Sequence, residues 1–349
     1  MNARSLPGIE AAAASEAAGR WEEADELYRK AFAEAAKRGD LQTLVGGLRR
    51  QSLLRCRLNR LDEAEEFAEL AQEIAKRVPL PRELPAAVSA LALVHYSGER
   101  FDEAERLWED ALQGARKTDD DQSVGLICQN LGVIRNIRGD LPGARILYLE
   151  CIAATVRSGD RWTAASAYNN LGMACADMRD WMEAEVYFDR GIEAAETLEN
   201  RPLLCRLYTN RAEPMIETGD LRGARASLRM GLALAEEIDA KRSRIDGHRF
   251  MGRIDREEGD LVAAAENLER GLALADRFEL LLERAEVMEE RARLRRAEGR
   301  VADAKADLEA AAKGYREVGA RGDEERVRRL LESASYDPSR SDPPREAIA

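Results

Sequence analysis

Eight alanines, Ala24, Ala64, Ala104, Ala144, Ala184, Ala224, Ala264 and Ala304, stand 40 residues apart without slippage. A period of that length constrains the fold more than any composition figure, because a unit too short to close its own core must stack on copies of itself. Three residues before each alanine lies a bulky apolar group (Trp21, Leu61, Phe101, Leu141, Trp181, Leu221, Leu261, Val301). Four residues after it come Tyr28, Ala68, Trp108, Tyr148, Phe188, Leu228, Leu268 and Leu308. These spacings share one helical face and predict a buried stripe on the second helix of each unit.

The punctuation agrees with this register. Two residues ahead of the bulky group stand Gly19, Asn59, Glu99, Gly139, Arg179, Gly219, Gly259 and Gly299, and Gly-Asp-Leu recurs at 139–141, 219–221 and 259–261. Glycine accepts the left-handed conformation that ends one helix, and aspartate caps the next. Between units, Arg38-Gly39-Asp40, Thr118 to Asp121 and Ser158-Gly159-Asp160 supply the second turn. The first helix of each unit carries a small residue at a fixed place: Ala12, Ser52, Ala92, Gly132, Gly172, Ala212, Gly252 and Ala292. Small residues there predict close approach of the paired helix, with the alanine twelve residues on filling the gap.

Two stretches carry a family resemblance: Tyr168-x2-Leu171-Gly172-x2-Cys175 followed by Ala184-x3-Phe188, and Cys128-x2-Leu131-Gly132-x2-Arg135 followed by Ala144-x3-Tyr148. They resemble the tetratricopeptide signature, and with drift the resemblance covers residues 5 to about 318. It implies an all-α, right-handed α-solenoid of eight helix-turn-helix repeats plus a C-terminal capping helix. The 40-residue unit exceeds the usual length of about 34 and lacks the family's closing proline, which predicts a longer second helix. Such extended units are similar to those of MalT-like regulators, Rap-type regulators and kinesin light chains. One solenoid is expected over residues 1–336, with a capping helix at 321–335 and a disordered tail at 337–349. Pro214 falls inside the first helix of the sixth unit, where it predicts a kink. The cluster Pro79, Pro81, Pro85 is either a stiff joint or an ordinary loop.

Composition narrows the function. A charged fraction of 34% and 5% aromatic residues suit amphipathic helices, and no strand is expected. A net charge of -12 repels phosphate backbones and argues against nucleic acid. No stretch approaches a membrane span or a secretory leader, so a soluble cytoplasmic protein is expected. The five cysteines form no C-x-x-C pair and read as packed, reduced thiols. Only His95 and His248 are present, far apart. With no nucleophile, phosphate-loop or dinucleotide motif, neither enzyme activity nor a metal or cofactor is expected. Asp119, Asp120 and Asp121 read as helix capping instead of a calcium loop.

Because first helices line the groove in tetratricopeptide arrays, the resemblance implies which side chains meet a ligand. Two positions before each small residue stand Glu10, Arg50, Ala90, Asn130, Asn170, Asn210, Phe250 and Glu290. The three asparagines form a ladder that either holds the backbone of an extended peptide or bonds neighbouring helices. Gln129, Asn169 and Thr209 extend the polar surface, while Val133, Met173 and Ile216 offer apolar pockets. Arg249, Arg253 and Arg256 share one face, and Arg293 and Arg296 follow one unit later. These arginines fit an anionic partner, such as an acidic segment, or a salt-bridge lattice with Asp246, Glu257, Glu289 and Glu290. The expected function is a non-enzymatic scaffold or adaptor, monomeric, that binds a protein or peptide. The alternatives are a sensor subunit acting on a separate effector and a self-assembling scaffold.

Overall fold

The structure, a computed structural model, describes residues 7–17, 19–78 and 80–332, and no strand occurs among the described residues. The helices follow one another in pairs. α1 (Pro7–Ala17) and α2 (Trp21–Arg38) make the first, α3 (Leu41–Arg57) and α4 (Leu61–Arg77) the second, α5 (Glu83–Ser97) and α6 (Phe101–Lys117) the third. α7 (Asp121–Ile137) and α8 (Leu141–Ser158) form the fourth, α9 (Arg161–Asp177) and α10 (Trp181–Thr197) the fifth. In the sixth the first helix is broken into α11 (Arg201–Asn210) and α12 (Ala212–Glu217) before α13 (Leu221–Glu237). α14 (Lys241–Glu257) with α15 (Leu261–Phe278), and α16 (Leu281–Ala297) with α17 (Val301–Glu317), complete the series, and α18 (Arg321–Glu332) follows as the capping helix. Residues 333–335 of the expected cap, the tail 337–349 and Pro79 lie outside the described residues.

The turns obey the expected chemistry. Gly139 has φ +78°, and Gly219 and Gly259 have φ +86°. Each is followed by an aspartate whose carboxylate accepts a backbone N–H three residues on: Asp140 from Gly143 at 3.0 Å, Asp220 from Gly223 at 2.9 Å and Asp260 from Ala263 at 3.0 Å. Asp120 caps α7 in the same way through Ser123. Asn59, Glu99 and Arg179 occupy the same left-handed place without glycine's freedom, at a cost of about 1–2 kcal/mol each.

All eight repeat alanines are fully buried, and so are the residues four places after them. The residues three places before are only half-buried, contrary to the expected stripe, because they sit in the first turn of the second helix beside the open inter-helix turn. A second correction concerns what fills the small-residue slot. A Cβ on Gly132 would lie 2.4 Å from the ring of Tyr148, one on Gly172 2.8 Å from Phe188, and one on Gly252 2.7 Å from Leu268. The slot therefore seats the large residue sixteen places on, not chiefly the alanine twelve places on.

The chain divides into two compact units within α9, between Ala167 and Tyr168. In the first unit the core gathers Trp108, Ile127, Leu131 and Ile134 around buried Cys128 and Cys151, and the indole N–H of Trp108 donates to Ser89 Oγ at 3.0 Å. First helices of successive repeats meet, α3 on α5 and α5 on α7, so they line one side of this unit. In the second unit Leu268, Val287, Leu294, Leu308 and Tyr315 pack with Val327 of α18, and α14 meets α16 on its first-helix side. Pro214 acts as expected, although the helix breaks three residues earlier, at Arg211. With no N–H on Pro214 the Asn210 carbonyl lacks its helical donor, and the next bond, Met215 N–H to the Arg211 carbonyl, is stretched to 3.4 Å.

Candidate binding surfaces

In the first unit α7 presents Leu126, Asn130, Val133 and Ile137, spaced by four, three and four residues and thus on one face. Leu126 is 42% and Ile137 55% exposed, while Asn130 and Val133 are partly buried. Large apolar side chains left in water on either side of an amide make a narrow amphipathic strip. Leu126 and Ile137 were not singled out above, although the same spacing rule that places Asn130 and Val133 on this face includes them. Gln129, three residues after Leu126 and four before Val133, is partly buried beside this strip, and its Oε1 has no hydrogen-bond partner. The remaining first-unit members of the asparagine column diverge. Arg50 is exposed and Ala90 buried, and the Glu10 side chain lies outside the described residues.

In the second unit the amides join into a chain. Asn210 donates through Nδ2 to Asn169 Oδ1 at 3.1 Å, across successive repeats, and Asn169 donates through Nδ2 to Asn170 Oδ1 at 3.3 Å. Asn169 is itself buried and serves as the relay. The amide of Asn210 thus bonds a neighbouring repeat, while the Nδ2 of Asn170 and the Oδ1 of Asn210 have no hydrogen-bond partner among the described residues. Met173, 41% exposed, lies one turn beyond Asn169 and takes a weak contact from its amide at 3.6 Å. Thr209 and Ile216 do not belong to this surface. Thr209 is buried and donates to the Cys205 carbonyl at 2.9 Å, and Ile216 packs in a core cluster with Leu228 and Ile254. Phe250 and Glu290, later members of the column, are also buried.

The arginines form a lattice. Arg249 pairs with Asp246 at 3.1 Å and Glu286 at 3.6 Å and lies over the Phe250 ring at 4.2 Å. Arg253 reaches Glu217 at 2.7 Å and Glu257 at 3.0 Å, and Arg256 reaches Glu290 at 2.9 Å. Arg293 bridges Glu289 and Glu290, at 2.7 Å each, and Arg296 is partnered as well. Burial works against charge on the Glu290 carboxyl, but Arg293, Arg256 and Arg253 around it overcome this and hold its pKa down at about 2. Glu289 accepts from Arg293, from Arg326 of α18 and from the Tyr315 hydroxyl at 3.0 Å. An acidic ligand would have to displace these carboxylates, so the lattice reading accounts for the arginines better than an anion site. The signal for Glu286 and Arg326 lay in the i+3 and i+4 ladders of α16 and α18, whose partners only packing brings together.

No helix of the described residues is long and apolar enough to cross a membrane. Family models described as tetratricopeptide repeat match residues 163–237 and 86–118. No curated protein matches the chain. Among solved structures, a signal-transduction ATPase with numerous domains carrying a tetratricopeptide repeat sensor, from Pyrococcus horikoshii, aligns with TM-score 0.64 at 18% identity over 79% of this chain. The alignment spans 42% of that protein's length. A Rap protein complexed with Competence and Sporulation Factor aligns with TM-score 0.58 at 12% identity, covering 93% of this chain and 95% of that one. The Rap conjugation gene regulator of plasmid pLS20, in complex with the Phr* peptide, aligns with TM-score 0.55 at 17% identity, covering 79% and 75%. At these identities the likeness concerns the fold.

Proposed function

Because the chain carries tetratricopeptide repeats, we propose that it is a non-enzymatic, monomeric cytoplasmic scaffold that binds an extended segment of a partner protein or peptide on its first-helix faces. The observation that carries this reading is the amide chain of the second unit. The unused donor of Asn170 and acceptor of Asn210 match the acceptor and donor of one peptide group. Met173 beside them suits an apolar side chain of the same ligand. The α7 strip, Leu126, Val133 and Ile137 with Asn130 among them, is a second contact surface of the same character in the first unit. A preformed helical surface loses little entropy on binding, which favours many weak contacts over one deep pocket. The peptide held by the Rap regulator of similar fold supports this reading.

The test compares the wild-type chain with Asn170→Ala/Asn210→Ala and, separately, with Asn130→Ala, as baits in lysate of the source cell. Affinity for the captured partner should fall about tenfold in the double variant, the equivalent of about 1.4 kcal/mol of hydrogen bonding. Unchanged affinity in all variants would remove both faces as the binding site. A sensor role is the second reading, supported by the tetratricopeptide repeat sensor of the similar ATPase. Small-angle scattering that stays unchanged on adding the partner would exclude it.

A further inference from the structure

We infer that Arg206 of α11 sets the charge of the bound segment: it pairs with an aspartate or glutamate side chain of the ligand, three or four residues away from the apolar side chain that meets Met173. The inference rests on the binding reading and gives it a ligand class, an acidic extended peptide with an apolar anchor.

Arg206 stands apart from its neighbours in having no internal partner. It is exposed and makes no hydrogen bond or ion pair among the described residues. Every other arginine of α11, α14 and α16 is engaged. Arg201 pairs with Glu237, Arg242 with Glu283 at 2.8 Å and Arg291 with Asp307 at 2.7 Å, and the lattice described above takes up those that face the same side as Arg249. The sequence also sets Arg206 apart. At its place in the other repeats stand Gly46, Ala86, Leu126, Ser166, Asp246 and Glu286, so the row from the second repeat onward carries a cation once. Asp246 and Glu286, which could otherwise draw it, are paired with Arg249 at 3.1 and 3.6 Å.

The placement supplies the spacing. Arg206 precedes Asn210 by four residues and so lies one turn earlier on the same face. The bond from Asn210 to Asn169, at 3.1 Å, sets α9 and α11 side by side at this level. Met173 lies four residues beyond Asn169, in the opposite direction along the helices. At a rise of about 1.5 Å per residue, the levels of Arg206 and Met173 are roughly 12 Å apart, which extended chain covers in three or four residues of about 3.3 Å each. The unused donor of Asn170 and acceptor of Asn210 fall between them. Beyond Asn210, α12 offers Glu213 and Glu217 and no cation, so an anionic side chain is favoured at the Arg206 end. A guanidinium with its donors unspent can take a carboxylate by two parallel N–H bonds.

The experiment selects a phage-displayed library of random linear peptides on the full chain, as wild type, Arg206→Glu and Asn170→Ala/Asn210→Ala. Arg206 is exposed and unpaired, so its replacement leaves the fold intact. The wild type should enrich peptides with Asp or Glu three or four positions from Leu, Ile, Met or Phe. Arg206→Glu should keep the apolar residue and exchange the acidic one for Lys or Arg, and the double amide variant should lose the enrichment. In a synthesised winner, changing the acidic residue to its amide should weaken binding to the wild type about two- to fivefold, the range of an exposed ion pair, and should not weaken binding to Arg206→Glu. Peptides that depend on the amides yet carry no acidic residue, or that Arg206→Glu enriches unchanged, would overturn the role of Arg206 and leave the binding reading standing. No enrichment by the wild type, or enrichment indifferent to the amides, would overturn both.

Discussion

Two adjacent glycines in α3 make the packing argument quantitative. A Cβ added to Gly46 meets nothing within 4 Å, whereas one added to Gly47 would lie 2.1 Å from Cδ1 and Cε1 of Phe32 and 2.5 Å from its Cγ. The Phe32 ring has little room to yield, since it is 5% exposed and stacks on Tyr28 with centroids 5.6 Å apart. Gly→Ala in a helix interior gains about 0.5–1 kcal/mol from reduced backbone freedom in the unfolded chain. Gly46→Ala should therefore stabilise by about that much. In Gly47→Ala the same gain is set against about 1–3 kcal/mol of overpacking, leaving a net loss of about 1–2 kcal/mol. Urea unfolding followed by circular dichroism reads both, with the midpoint moving in opposite directions and the transition slope unchanged. Midpoints that move the same way would show that Phe32 is not seated against Gly47 and would refute the packing of α2 on α3 between the first and second repeats.

Pro214→Ala restores the donor to the Asn210 carbonyl and should join α11 to α12, raising stability by about 1–3 kcal/mol, with protection from hydrogen exchange rising at residue 214 and its neighbours; an unchanged melting curve would place the break's cause elsewhere than Pro214. Glu289→Ala removes the shared acceptor of Arg293, Arg326 and Tyr315, leaving the buried Tyr315 hydroxyl without this acceptor and the two arginines with Glu290 and Asp323, so it should cost about 1–3 kcal/mol. The loss should appear first as fraying of α18 by hydrogen exchange, and a loss below about 1 kcal/mol would contradict the lattice.

The contrast between what was legible and what was not follows the range of the interactions involved. The repeat register, the helix boundaries and the caps depend on residues a few positions apart, and the Gly-Asp-Leu turns are recognisable for that reason. The effect of Pro214 was legible too, since a missing N–H is a local fact. The binding face was half legible. Helical spacing placed Asn130, Asn170 and Asn210 alike, but the same spacing could not show that Asn169 would be buried as a relay, or that Thr209 and Ile216 would face the core.

By itself, then, the sequence determined an all-α array of 40-residue helical pairs, because a period and its turn chemistry are properties of the chain alone. Tertiary structure decided which amides remain unused and which large residue fills each glycine slot. It also decided whether the arginines of α14 and α16 are free. Those outcomes rest on side chains tens of residues apart, as Arg326 is from Glu289. Only stacking sets their distances, and charge pairing at 3 Å differs from charge pairing at 10 Å by far more than any local propensity can encode.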